Sequence, residues 1–139
     1  MPRTASEIPL SAFIAEFGIK TIHRVSLYVD EKNKDEIFDI ISQNRDRFRR
    51  AVYVLLQGNY NNELYGKENI SKKTYNLTAI KFKKRKNANY RIYCKEYIDE
   101  YSPNIKKVVM VSAYNKKSMK ISKKLKQHLN TIAEYEYNL

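Results

Sequence analysis

Residues 77–121 read LTAIKFKKRKNANYRIYCKEYIDEYSPNIKKVVMVSAYNKKSMKI, and this stretch decides the fold because it carries three strand patterns in succession. Apolar and aromatic residues alternate there with Lys and Arg, as in strands that turn one face towards a core. The predicted strands are Leu77–Phe82, Tyr90–Tyr97 and Lys107–Tyr114. The short polar turns between them predict an antiparallel meander, with cations on one face and at the strand ends. The third strand is apolar on both faces, which predicts a central position covered on both sides.

The charge of the chain is concentrated in the half that contains this stretch. Residues 1–70 hold ten Lys or Arg and ten Asp or Glu, whereas residues 71–139 hold seventeen and five, so the second half supplies the whole net charge of +12. A one-sided charge indicates a surface that faces a polyanion, which could be nucleic acid, an anionic membrane or an acidic protein. A lysine-rich surface that serves only solubility is the alternative.

Outside the meander, the sequence predicts three helices, one strand and a long loop from apolar spacing and turn residues. These elements are a short helix over Pro9–Phe17, a strand over Ile22–Val29, a long helix over Asp35–Gln57, an irregular loop over Gly58–Thr74 and a last helix from Ser118. Ser11 is a candidate cap for the first helix and Gly18 suits its end. The polar run QNRDRFRR at 43–50 is a candidate break that would divide the long helix into two.

This element order predicts an α+β fold in which a small antiparallel sheet of about four strands packs against helices. Residues 1–20 are expected to form an N-terminal extension with a short helix, and residues 21–139 a single domain. A sheet of this size is too small to hide both faces behind two helices. We therefore expect one side to stay open, and the meander to present its cations there.

Composition excludes several kinds of chemistry. The three glycines, Gly18, Gly58 and Gly66, form no phosphate-binding glycine-rich loop, and Cys94 is the single cysteine. The two histidines, His23 and His128, lie far apart in the sequence, so we expect no metal and no other cofactor. No apolar run approaches the roughly 18 residues of a membrane span. The N-terminus shows no secretion signal, so a cytoplasmic protein is expected.

The remaining chemistry is that of Lys, Arg and Tyr at high density. RNA supplies its own nucleophile, the 2′-OH, so cations that stabilise the phosphorane and one group that moves a proton can cleave it without a metal. If the strands pair as predicted, six residues could converge for this purpose: Arg91, Lys81, Lys83, Lys116, Lys117 and Tyr114. The alternative is that these residues only bind phosphate groups, or only keep an exposed sheet face soluble.

Three short motifs resemble the second half of RelE/HigB-type toxins of type II toxin–antitoxin modules, in the RelE/ParE superfamily. The run Tyr90–Tyr93 is similar to that family's strand of Tyr, Arg, an apolar residue and Tyr. Val109–Lys120 is similar to its apolar strand followed by an aromatic residue and a Lys-Lys run, and Leu64–Ile70 resembles the loop before its second strand. The resemblance covers roughly residues 64–130 and, by element order, the long helix before them.

This resemblance implies a RelE/ParE-like fold and a metal-independent mRNA endoribonuclease, ribosome-associated, that inhibits translation and is neutralised by an antitoxin protein. It implies that Arg91 stabilises the phosphate, that Lys81 and Lys83 act as base and transition-state stabiliser, and that Tyr114 stands at the family's aromatic position. Lys116 and Lys117 would match the basic pair after the last strand. The neighbouring cations are expected to bind the nucleic acid: Lys84, Arg85, Lys86, Lys95, Lys120 and Lys123.

Fold alone does not decide function, because the same superfamily includes ParE-type proteins that poison gyrase without nuclease residues. A non-catalytic basic binding protein, such as a ParE-like or phage host-takeover inhibitor, is therefore an alternative. A regulatory protein whose basic face meets only an acidic protein partner is another.

Overall fold

A computed structural model describes residues 2–18, 24–68, 71–82, 89–102, 105–115 and 122–139. In chain order the elements are β1 (Ala5–Ile8), α1 (Ser11–Phe17), β2 (Arg24–Asp30), α2 (Lys34–Gln43), α3 (Arg45–Leu56), β3 (Tyr65–Lys67), a 3-10 helix (Lys72–Thr74), β4 (Leu77–Lys81), β5 (Tyr90–Ile98), β6 (Ile105–Asn115) and α4 (Lys123–Ala133). The α+β class is confirmed. No helix among the described residues is both long and apolar enough to cross a membrane.

The strands form one open sheet of six, in the order β1-β2-β6-β5-β4-β3. The predicted meander is confirmed, because β5 pairs antiparallel with both β4 and β6. The expectation of a purely antiparallel sheet is wrong, because β2 and β6 run parallel. After β2 the chain forms α2, α3 and the strands β3 to β5. The last strand, β6, then lies between β2 and β5. Two strands that the sequence pattern did not predict, β1 and β3, add the outer edges.

Helices cover both faces of the sheet, each over its own core. Leu27, Ile80 and Met110 lie in the core under α1, α2 and α3. On the opposite face, Val109 lies in the core under α4. The last helix presents three apolar residues to that face, each at most 2% exposed: Leu125, Leu129 and Ile132. The expectation of one open sheet face is therefore wrong.

The predicted long helix is divided in two, which confirms the break. Asn44 separates α2 from α3 with a non-helical backbone, at φ −139° and ψ 43°. Its side chain donates to the carbonyl of Ile40 at 2.9 Å. After the break, Arg50 pairs with Asp46 at 3.1 Å, and Arg47 Nη2 donates to the carbonyl of Glu63 at 2.5 Å. Arg47 thereby ties α3 to the segment before β3.

Two local predictions are wrong. The segment 58–74 is not irregular throughout, because it contains β3 and the 3-10 helix, which begins with a capping box between Ser71 and Thr74. Ser11 does not cap α1, since Leu10 holds that position without a side-chain bond. Gly18 ends α1 as predicted, with the left-handed φ of 61° that suits glycine.

A buried carboxylate ties the two ends of the chain to β2. Asp30 is 0% exposed and pairs with Arg3 Nε at 2.7 Å. The Tyr137 hydroxyl donates to it at 2.6 Å, and so does the backbone N–H of Asn33 at 3.0 Å. Burial by itself would raise the pKa of Asp30, but these donors outweigh it and hold the pKa below its ordinary value.

We expect Arg3→Ala to lower the free energy of unfolding by about 3 kcal/mol, because it leaves a buried charge without its partner. Urea denaturation monitored by circular dichroism measures this. Arg24→Ala, which removes an exposed arginine from β2, serves as the control and is expected to change the value by less than about 0.5 kcal/mol. Equal small effects of the two substitutions would contradict the role of this ion pair.

Candidate functional site

Three predicted site residues form a row across the last three strands of the chain. Lys81 on β4 lies opposite Arg91 on β5, and Arg91 lies opposite Tyr114 on β6. Directly opposite residues point to the same face of a sheet, which here is the face that α4 covers. Lys83, Lys116 and Lys117 lie outside the described residues.

A β-bulge in β6 brings Tyr114 onto this face. The β5–β6 register passes from Tyr93 opposite Ser112 to Cys94 opposite Met110, which leaves Val111 as the extra residue. Beyond the bulge the alternation of β6 is reversed, so Ser112 and Tyr114 face α4 together with Val111. The carbonyl of Val111 accepts a hydrogen bond from Asn33 Nδ2 at 2.8 Å, past the last paired residues of β2.

His128 of α4 contacts the Tyr114 end of this row. Its Nε2 is 2.7 Å from Ser112 Oγ, within hydrogen-bond distance. Its ring stacks on that of Tyr114, with centroids 5.0 Å apart and planes at 30°. Burial lowers the pKa of His128 below its ordinary value, so the imidazole is neutral at neutral pH. A neutral imidazole can accept a proton.

Glu68, which follows β3, holds the two cations of the row. Its Oε1 lies 2.7 Å from Arg91 Nη1 and 3.6 Å from Lys81 Nζ. Lys81 Nζ also donates to the carbonyl of Asn62 at 3.0 Å. The three side chains are mostly buried, with exposed fractions of 11–19%.

Two small residues lie beside this ion cluster. Gly66 pairs with Ala79 in the β3–β4 register, next to the Lys81–Arg91 pair. A Cβ added at Gly66 would lie 3.6 Å from Lys81 Nζ, which is an ordinary van der Waals distance.

Two buried polar atoms beside Glu68 make no hydrogen bond within the described part of the chain. They are Arg91 Nε and the Tyr93 hydroxyl. Burial raises the pKa of Tyr93 above its ordinary value, and the nearby Glu68 carboxylate raises it further, so the phenol keeps its proton. Buried donors without a partner are uncommon and call for an explanation such as a bound group or a catalytic role.

The predicted nucleic-acid-binding residues are found in different places. Lys95 is buried, and its Nζ donates to the carbonyls of Ala133, at 2.8 Å, and of Tyr135 at the end of α4. Burial lowers the pKa of Lys95. Because its ammonium is bound to these carbonyls, we do not include Lys95 in the candidate site. Lys123 is exposed on the first turn of α4. The others, Lys84, Arg85, Lys86 and Lys120, lie outside the described residues.

The sequence analysis did not include four residues of this site: Glu68, Tyr93, Ser112 and His128. One signal was available for the histidine. His128 follows Leu125 by three positions, which places it beside the apolar stripe of the last helix. No comparable signal existed for Glu68, because its contacts depend on the β3–β4 pairing.

Comparisons with known proteins gave no match: no family model, no curated protein and no solved structure matches this chain. Within the described ranges, no three His, Cys, Asp or Glu side chains form a group that could hold a metal ion. The function of the site is therefore argued from its own geometry and from the sequence motifs given above.

We expect the pKa of His128 to lie below 6.5 in the folded protein, because its burial favours the neutral form. The unfolded chain then binds the proton more readily than the folded protein does. The contribution of His128 to the free energy of unfolding should therefore be fully present above pH 6.5 and be lost as the pH falls through the folded pKa. Imidazole NMR titration measures the pKa, and denaturation between pH 5 and 8 measures the stability. His128→Gln should remove this part of the pH dependence. A pKa at or above 6.5 would contradict the burial argument.

Proposed function

We propose that this protein is a metal-independent endoribonuclease. The observation that carries the proposal is the row Lys81–Arg91–Tyr114 with His128 stacked on its end. The row combines two cations, an aromatic ring and a neutral imidazole on one sheet face, and such a set is sufficient for RNA cleavage through the 2′-OH. The charge of the second half of the chain supports the same proposal, because RNA is a polyanion.

In this mechanism the 2′-oxygen attacks phosphorus while His128 accepts the proton of the 2′-OH. Arg91 and Lys81 stabilise the additional negative charge of the pentavalent phosphorane. The bond from phosphorus to the 5′-oxygen then breaks, and the Lys81 ammonium donates a proton to that oxygen. The products are a 2′,3′-cyclic phosphate and a 5′-hydroxyl. Tyr114 offers a ring face for a neighbouring base.

Glu68 binds the two cations that this mechanism assigns to the phosphate. Its carboxylate pairs with Arg91 Nη1 and approaches Lys81 Nζ. A phosphate must therefore displace the carboxylate or share the two cations with it.

The biological setting of the proposal rests on the resemblance to RelE/HigB-type toxins. On that basis the RNA would be mRNA on the ribosome, in the cytoplasm. Cleavage would inhibit translation, and an antitoxin protein would neutralise the activity.

A second candidate function is non-catalytic binding, as in a ParE-like or phage host-takeover inhibitor. The Glu68 ion pairs favour it, because they would satisfy Arg91 and Lys81 without any chemistry. This candidate requires binding that weakens steeply with salt and yields no product.

We expect Arg91→Ala and Lys81→Ala each to reduce RNA cleavage by about 10²–10³-fold, because each removes a charge that stabilises the phosphorane. Primer extension on mRNA after induced expression, and cleavage by the purified protein with and without ribosomes, measure this. Lys126→Ala, on the exposed side of α4, is the matched control and should cleave like the wild type. If the wild type leaves RNA whole under all these conditions while binding it, the second candidate is correct.

We expect Glu68→Gln to tighten the binding of an RNA dinucleotide by several-fold, because the phosphate no longer competes with a carboxylate. Titration with an uncleavable 2′-O-methyl dinucleotide measures this. Glu63→Gln, an exposed change just before β3, controls for the change in net charge alone. Unchanged or weaker binding by Glu68→Gln, relative to this control, would show that Glu68 does not compete with phosphate.

A further inference from the structure

A second pocket lies at the other end of β4 from Lys81. It has a volume of about 270 Å³, and its walls include three tyrosines, Tyr60, Tyr75 and Tyr97. Tyr75 is 74% exposed, so one aromatic wall stands open to solvent. Tyr60 is stacked on Tyr65, with ring centroids 5.9 Å apart, which makes it a fixed wall. A ligand in the pocket therefore has the exposed ring of Tyr75 as a stacking surface, and the partly buried ring of Tyr97 as a second wall.

The pocket wall also contains a hydrogen-bond acceptor without a donor. Asn76 Oδ1 is buried and receives no hydrogen bond within the described part of the chain. The amide cannot turn its nitrogen towards the pocket without loss, because Nδ2 donates to the carbonyl of Glu96 at 3.2 Å. The unpaired atom of Asn76 is therefore an acceptor, which suits a ligand with an N–H donor.

The charges around the pocket suit an anionic ligand. Lys67 lines it, with Nζ 5.1 Å from the centre of the Tyr60 ring. The one carboxylate in the wall, Glu96, is compensated by Lys106 at 3.3 Å and by the Tyr60 hydroxyl at 2.8 Å. Exposed Lys72 lies on the 3-10 helix that leads into Tyr75.

We infer that this pocket binds an unstacked RNA base, away from the scissile phosphate. The inference rests on the proposed function and names part of its substrate. Aromatic rings receive bases of any sequence, and every RNA base carries an N–H donor that suits the acceptor of Asn76. Asn76 and Lys81 are five strand positions apart, or about 17 Å.

Binding of fluorescent 2′-O-methyl oligonucleotides of ten residues tests the inference, because these cannot be cleaved. Tyr75→Ala should weaken the binding of oligo-A and of oligo-U roughly tenfold. Asn76→Leu should weaken the binding of both, because both bases offer an N–H donor. Tyr101→Ala is the matched control, since this ring is 93% exposed and outside the pocket; it should bind like the wild type.

One outcome would overturn the inference: Tyr75→Ala binds oligo-A and oligo-U as tightly as Tyr101→Ala does. Circular dichroism establishes that the variants are folded. Because binding is measured without cleavage, loss of oligonucleotide binding in Tyr75→Ala supports the pocket even if unmodified RNA is never cut. Conversely, if the protein cleaves RNA but Tyr75→Ala binds oligo-A like the wild type, the pocket is refuted and the proposed function stands.

Discussion

The structure depends on strand β6, which joins the two halves of the sheet and carries the bulge. It pairs parallel with β2 and antiparallel with β5, and four successive residues from Val108 to Val111 are fully buried. Without the extra residue Val111, Tyr114 would point to the core under α2 and α3 rather than to α4. The bulge is thus the feature that places Tyr114 beside Arg91 and His128. Asn33 supports it by bonding the carbonyl that β2 does not reach.

At the Lys81–Arg91–Tyr114 row the charges are compensated, but not all of the hydrogen-bond donors are. Glu68 compensates Arg91 and Lys81, while Arg91 Nε and the Tyr93 hydroxyl keep donors without acceptors in the described part of the chain. A buried donor without a partner costs on the order of 1–3 kcal/mol. The two cores, on opposite faces of the sheet, supply the stability against which such a cost is tolerated. A bound phosphate would provide acceptors for the same donors.

Local patterns in the sequence were sufficient for the helices and for the four longer strands, because each buries a regular apolar set such as Leu125, Leu129 and Ile132. They were insufficient for β1 and β3, whose four and three residues carry no alternation that can be recognised. The parallel β2–β6 pairing and the bulge depend on contacts between distant segments. For the same reason Arg91, Lys81 and Tyr114 could be predicted as neighbours from the meander, whereas Glu68 and His128 could not. Lys95, predicted to face nucleic acid, instead binds the end of a helix that the sequence did not place over it.

The central claim is that the row acts on RNA through the 2′-OH of the substrate without a metal. Its most direct test compares an oligoribonucleotide that the protein cleaves at one position with the same oligonucleotide carrying a 2′-deoxy residue there, both in excess EDTA. The account predicts cleavage of the first, with a 2′,3′-cyclic phosphate and a 5′-hydroxyl as product ends, and no cleavage of the second. Equal cleavage of both, or loss of all cleavage in EDTA, would contradict it.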